Sequence, residues 1–210
     1  MSLVDDLLVG LNTLGLSLPE KSRDKLLAYL KLLEKWNKVY NLTAIREPER
    51  MLSQHLLDSL AVLPYIQGES ILDVGSGGGL PGVPLAIALP GRNVVLLDSS
   101  QKKTTFLKQA SIELQLPNIS VVCDRVESWR PNRCFDIVIS RAFSDLAQFA
   151  RLAGHLCAPE GALLAMKGVN PHEEATQLPA GVKIERIIPL QVPQLEAQRH
   201  LVVMKVTTDG

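Results

Sequence analysis

The sequence predicts an α/β fold, a mostly parallel seven-stranded sheet with helices on both faces and the last strand antiparallel, behind an N-terminal helical extension. Three observations predict it. From residue 70 onward, short apolar runs alternate with helix-like segments, the pattern of parallel strands joined by crossover helices. A glycine-dense turn, DVGSGGGLPG at 73–82, closes the first apolar run and opens a helical segment. Before residue 66 the apolar residues recur at helical spacing. Two units are expected: a helical lobe over 1–65 and a sheet domain over 66–210.

Taken in order, residues 3–14 and 20–39 read as helices. In the second, Leu26, Leu27, Leu30, Leu33 and Trp36 form one apolar stripe. NLTAIREPE (41–49) breaks the pattern, and a third helix over 48–63 carries Met51, Leu52, Leu56, Leu60 and Leu63 before Pro64 closes it. SILDVG is a buried strand, and PGVPLAIALP a short helix with Pro81 in its first turn. NVVLLD (93–98), ISVVCD (119–124), FDIVISR (135–141) and GALLAMKG (161–168) are further strands. Helices over 100–116 and 146–157 separate them. VKIERIIPL (182–190) and RHLVVMKV (199–206) are long enough to pair antiparallel at the edge.

Composition narrows the function classes. The 210 residues are 46% hydrophobic, enough for a substantial core. A formal net charge of zero supplies no global field for nucleic acid or an anionic membrane. Binding to RNA must therefore come from a local patch. Residues 99–151 carry 8 basic and 5 acidic side chains, a mild excess, whereas residues 1–66 carry 8 of each. Cys123, Cys134 and Cys157 have no metal or redox spacing and read as thiols of a reduced compartment. No metal is expected. The N-terminus bears Asp5 and Asp6 before its first basic residue, the reverse of a signal peptide, and no run is long enough to span a membrane. The expected location is the cytoplasm.

The glycine turn matches two nucleotide-site spacings. From Asp73 it reads D-x-G-x-G-x-G, and from Gly77 it reads G-x-G-x-x-G. In an open parallel sheet this turn lies where ligands bind, and Gly75, Gly77 and Gly79 let backbone approach a ligand closely. The acid decides between cofactors. A carboxylate at Asp73 attracts the ammonium and sulfonium of S-adenosylmethionine, directly or through water, but repels a pyrophosphate. Asp98, ending the second strand, suits a ribose diol, with a helix cap as the plainer alternative. Val126 and Glu127 follow the third strand and are expected beside the adenine, with Glu127 alternatively a surface charge.

DVGSGGGLPGVPLAI, LLDSSQKK, FDIVISRA, MKG and RHLVVMKV, preceded by NLTAI and HLLDSL, together resemble the RsmG/GidB family over roughly residues 35–206. The glycine loop alone is common; the loop with LPG, then SRA, then MKG in order is specific. The resemblance implies a Rossmann-like S-adenosylmethionine-dependent methyltransferase fold with an N-terminal helical lobe. It implies methylation of N7 of a guanine in 16S ribosomal RNA near the decoding centre. It also implies that Gly75, Leu80, Val126, Glu127 and Arg141 bind the cofactor.

Guanine N7 has a free lone pair, so the transfer needs no general base, and none is sought. Arg141 after the fourth strand and Lys167 ending the fifth are the expected positioning and electrostatic residues. Lys102, Lys103, Arg125 and Lys167 are candidate RNA-phosphate contacts, each alternatively a solvated charge. His55 and Asp58, three apart on the third helix, read as docking that helix onto the sheet rather than as a catalytic pair. Trp36 and Trp129 read as packing rather than base stacking. Expected partners are 16S rRNA, within the 30S subunit or an assembly intermediate, and no membrane; the chain is expected to be a monomer. Three rival readings stand beside this one: a methyltransferase of another substrate, a silent ribosome-assembly module, and an NAD-binding oxidoreductase that Asp73 opposes.

Overall fold

A computed structural model describes residues 2–168 and 177–207. Helices α1 (Leu3–Thr13) and α2 (Glu20–Tyr40) come first, and α1 begins with a capping box in which Ser2 and Asp5 satisfy each other's backbone donors. The sheet order is β3-β2-β1-β4-β5-β7-β6, with β1 Ser70–Val74, β2 Asn93–Asp98, β3 Ile119–Cys123, β4 Phe135–Ser140, β5 Cys157–Lys167, β6 Val182–Leu190 and β7 Arg199–Val206. Strands β1 to β5 pair in parallel; β7 runs antiparallel to both β5 and β6. The chain reverses its strand order at β1, between β2 and β4, and that switch point leaves a crevice at the strands' carboxyl ends.

The third helix departs from the expected regular one. It starts as α3 (Pro48–Met51), widens into a π-helical stretch (Leu52–Leu57), and ends as α4 (Asp58–Leu60), with Pro64 inside a following 3-10 turn. Every residue from Met51 to Val62 except Gln54 is buried. A helix enclosed on nearly its whole circumference has no polar face, so apolar spacing cannot report its winding. Two smaller departures concern boundaries. α5 is Gly82–Ala88, with Pro81 as its N-cap residue, and α7 (Leu146–Ala153) gives way to a 3-10 turn, so β5 starts at Cys157 rather than at Gly161.

Two apolar layers flank the sheet. On one face Leu72, Val138, Phe149 and Leu163 pack under α7. On the other, Tyr29, Leu33 and Leu56 of the helical extension join Val83, Phe106 and Leu107 of α5 and α6 (Gln101–Glu113) in one continuous cluster. The extension therefore covers the side of the sheet from which the glycine loop is reached.

Candidate active site

The turn after β1 is held by backbone. Gly75 and Ser76 donate their N–H groups to the carbonyl of Leu97 (2.8 and 3.1 Å), and Gly79 and Leu80 donate theirs to the carbonyl of Ser76. Gly75, Gly77 and Gly79 have φ of 71°, 57° and 93°, the left-handed conformation that glycine adopts without strain. A Cβ on Gly75 would stand 2.7 Å from Cβ of Ala142, and one on Gly79 would stand 2.6 Å from Val83. The loop is also anchored from α2: Tyr29, fully buried, donates its hydroxyl to the carbonyl of Gly78 at 2.6 Å. Burial pushes the Tyr29 hydroxyl far up in pKa and keeps it a donor.

Beside this loop lies a cleft of about 270 Å³ across the carboxyl ends of β1 to β4. Gly75, Asp98, Val126, Glu127 and Phe143 line it. Asp98 is 7% exposed and accepts from the N–H of Gly77 and of Ser100, both at 2.9 Å. Each carboxylate oxygen keeps a second lone pair for a ligand hydroxyl. Lys103 Nζ sits 3.8 Å from Asp98, and Arg125 3.6 Å from Glu127, so both cations are drawn to the acids of the cleft. The donor set suits an adenosine: apolar Val126 and Phe143 for a purine, and carboxylates for a diol.

Asp73 does not line the cleft. Its carboxylate turns beneath the loop, fully buried, and Oδ2 accepts from the N–H of Gly82 at 2.9 Å while Oδ1 has no partner among the described residues. It fastens the start of α5 rather than facing a ligand's cation. Burial pushes its pKa up to about 7, against the smaller pull of its hydrogen bonds. An acid with a raised folded pKa favours the fold most below its unfolded pKa, and that contribution is lost as pH rises through the folded one. Asp73→Asn should therefore gain stability relative to the parent between pH 4 and 8, by up to about 1.4 kcal/mol per pKa unit. Chemical denaturation across that range checks it; parallel pH profiles would refute it.

Gly79 and Leu80 face inward, Gly79 against Val83 and Leu107, and Leu80 within the core at 8% exposure. Both shape the loop from behind. Lys102 lies on the exposed face of α6, away from the cleft. Trp36 stacks on Tyr40 and contacts Phe106, while Trp129 packs near Phe135.

Arg141 and Ala142, consecutive residues after β4, face two different cavities. Ala142 fronts the cleft just described; Arg141 fronts a neighbouring one of about 240 Å³ with Asp58, Lys167 and Arg199. Arg141 donates through Nη1 to Oδ2 of Asp58 at 2.8 Å and to the carbonyl of Gln54 at 3.3 Å. Arg199 donates through Nε to the other Asp58 oxygen at 3.0 Å. Burial pushes the Asp58 pKa up, and the two guanidiniums hold it back. Lys167 donates to the carbonyl of Ser144. Next to Asp58, His55 bridges Thr43 Oγ1 through Nε2 and the Gln54 carbonyl through Nδ1. That carbonyl can only accept, so Nδ1 carries the proton and Nε2 accepts from Thr43. Burial lowers the His55 pKa to about 4, and the ring is neutral at pH 7.

Sequence reasoning missed Arg199, Gln54 and Tyr29. Arg199 and Lys167 end up together because β7 returns antiparallel beside β5, pairing Lys167 with His200. No local spacing reports that. Tyr29 lay one residue off the apolar stripe of α2, whose width a strict stripe underestimates.

The model of the GidB family, described as rRNA small subunit methyltransferase G, matches residues 22–202. The chain is 57% identical over 202 residues to the "Ribosomal RNA small subunit methyltransferase G" of Laribacter hongkongensis, covering 96% of this chain and 98% of that protein. It is 52% identical over 204 residues to the protein of the same name from Pseudomonas aeruginosa, covering 97% and 95%. Among solved structures it resembles a SAM-dependent methyltransferase from Aquifex aeolicus, with a TM-score of 0.59 and 18% identity over 83% of this chain and 98% of that one. The O-methyltransferase TomG from Streptomyces achromogenes, solved with SAM, gives a TM-score of 0.60 and 18% identity over 99% and 100%. At such identities the structural likeness carries the fold alone.

Proposed function

This chain belongs to the GidB family of rRNA small subunit methyltransferases G, and on that premise we propose that it methylates N7 of a guanine in 16S rRNA. The fold is that of the S-adenosylmethionine-dependent methyltransferases, and S-adenosylmethionine is the cofactor. When bound, the cofactor supplies a methyl group activated by sulfonium. The observation that carries the reading is the pair of adjoining cavities divided at Arg141 and Ala142. One offers acids and apolar walls; the other offers cations.

In this reading Gly75 gives the cofactor a floor without side chain, Asp98 accepts from its ribose hydroxyls, and Val126 and Glu127 border its adenine. Gly77 serves by donating to Asp98, while Asp73, Gly79 and Leu80 hold the loop in shape. Arg141, Lys167 and Arg199 hold the RNA in the second cavity. Their donors suit guanine O6 or a phosphate and leave N7 free. No side chain there needs to take a proton, because N7 reacts through a neutral lone pair. The residues then act by alignment, holding the acceptor at about 3–3.5 Å from the methyl carbon. Lys103 and Arg125 flank the cofactor mouth, and with Lys102 on the outer face of α6 they steer phosphates.

The substrate is 16S rRNA in the 30S subunit or an assembly intermediate, acted on by a monomer in the cytoplasm. No described helix is long and apolar enough to cross a membrane. A chain with zero net charge relies on a preformed RNA surface, so 30S particles should be labelled faster than protein-free 16S RNA. The test is transfer from labelled S-adenosylmethionine to 30S subunits of cells lacking this activity, with the nucleoside identified by mass spectrometry. The expected product is 7-methylguanosine in 16S RNA. A different methylated nucleoside overturns the atom assignment, and equal labelling of free RNA overturns the particle preference.

A further inference from the structure

Beyond the Arg141–Lys167 cavity lies a wider groove of about 660 Å³, between the α3/π stretch and the chain joining β6 to β7. Arg199 lines both, so the two spaces share a wall. Asp58 fixes that guanidinium through Nε, and Nη1 is spent on the carbonyl of Gln198 at 2.9 Å. Nη2 has no partner among the described residues and is left for a ligand.

The rest of the groove repeats this arrangement of unspent donors on a rigid base. Arg50 is 58% exposed and reaches Glu47 only at 3.4 Å. The Gln54 side-chain amide has no partner among the described residues, while its carbonyl is already fixed by Arg141 and His55. Gln54 is also the one residue between Met51 and Val62 that is not buried. The wider π-helical turn thus presents Gln54 outward while its neighbours stay in the core. Opposite stand Val192, 7% exposed, and half-buried Leu195, the apolar part of the lining.

Charge selects the occupant. Along the joined spaces Arg50, Arg141, Lys167 and Arg199 face Asp58 and Glu196, four cations against two carboxylates, in a chain whose formal net charge is zero. Cations at both ends, an amide between them and an apolar wall match a nucleotide: phosphate contacts that position, and a polar edge and a stacking face for the base. An amphipathic protein segment would instead need a mainly apolar groove.

We infer that this groove holds the nucleotide adjacent to the target guanine in the same RNA strand. Arg199 and Arg50 take its phosphates, Gln54 reads its base edge, and Val192 and Leu195 support the ring. The inference rests on the rRNA methyltransferase reading and adds a flanking-nucleotide subsite to it.

The test uses Arg50→Glu and Gln54→Ala in the full chain, with unmethylated 30S subunits varied at saturating cofactor. The expected result is a KM for 30S raised at least about tenfold in Arg50→Glu, with a salt dependence shallower by about one phosphate contact. Gln54→Ala should raise KM about three- to tenfold, and kcat, cofactor Kd and melting temperature should stay at parental values in both variants. A photo-reactive residue in place of Leu195 should crosslink to 16S RNA one nucleotide from the methylated guanine. Parental KM in both variants, beside an active parent, overturns the subsite. Crosslinking to a ribosomal protein instead overturns it in favour of a protein partner. A parent that methylates no 30S guanine overturns the functional reading itself, which is a distinguishable failure.

Discussion

Asp58→Ala is expected to lower the unfolding free energy by about 2–4 kcal/mol. The carboxylate is 4% exposed and carries two guanidiniums, one on each oxygen, at 2.8 and 3.0 Å. Removing one partner of a buried ion pair costs about 3–5 kcal/mol, because the remaining charge stays desolvated. Arg141 and Arg199 are each 24% exposed, so water recovers part of that loss, and the expectation sits below the full range. For a chain of this size the melting temperature should fall by about 5–15 °C. Asp58→Asn, which keeps the shape and one acceptor oxygen, should lose less. An Asp58→Ala/Arg199→Ala double-mutant cycle should show coupling above about 1 kcal/mol. A change under about 1 kcal/mol in Asp58→Ala would mean that the triad does not join the helical segment to the sheet.

Gly75→Val should be at least as damaging to the fold and more damaging to the cofactor site. Gly75 has φ +71°, where an L-residue costs about 1–2 kcal/mol. Its new Cβ would stand 2.7 Å from the side-chain Cβ of Ala142, two residues beyond the end of β4, and relieving such overpacking costs about 1–3 kcal/mol. Together the loss is about 2–5 kcal/mol. The side chain would also occupy the cleft floor, so S-adenosylmethionine affinity should drop at least about tenfold, or 1.4 kcal/mol. Gly77→Ala is the contrast. Its φ is +57° but the nearest atom to an added Cβ is 3.8 Å away, so it should lose only about 1–2 kcal/mol. Calorimetric titration and thermal melts on the two variants decide the matter. Equal damage from both would show that conformation alone, and not the approach of Ala142, makes Gly75 necessary.

Much of the fold was legible because its signals are local. The runs at 93–98, 135–141 and 182–190 are apolar and bounded by breakers, and the strands β2, β4 and β6 fall there. The third helix was legible as a helix but not in its winding. A π-helical turn differs from an α-helical one by a single backbone register, which tertiary enclosure selects and composition does not record. The cleft was legible where its lining lies at or within a few residues of a strand end, as Asp98 at the end of β2 and Val126 three residues beyond β3 do. It was illegible for Asp73, whose motif position says nothing of which way a strand-end carboxylate turns. Here it turns to the N–H of Gly82 at the start of α5, a donor that the N-cap residue Pro81 has no polar side chain to satisfy.

By itself the sequence determined the alternation of strands and helices, the glycine loop at the sheet's switch point, and the family. These depend on residue type at short spacing, and short spacing survives in a linear reading. Only the tertiary structure decided that Asp58 gathers Arg141 and Arg199, that Arg199 stands beside Lys167, and that Tyr29 braces the loop at Gly78. Each of those contacts joins residues at least 32 positions apart, up to 141 between Asp58 and Arg199, brought together by the returning β7 and by a helical segment laid over the sheet. Such contacts follow from which apolar faces bury each other, a property of the packed whole rather than of any window of the chain.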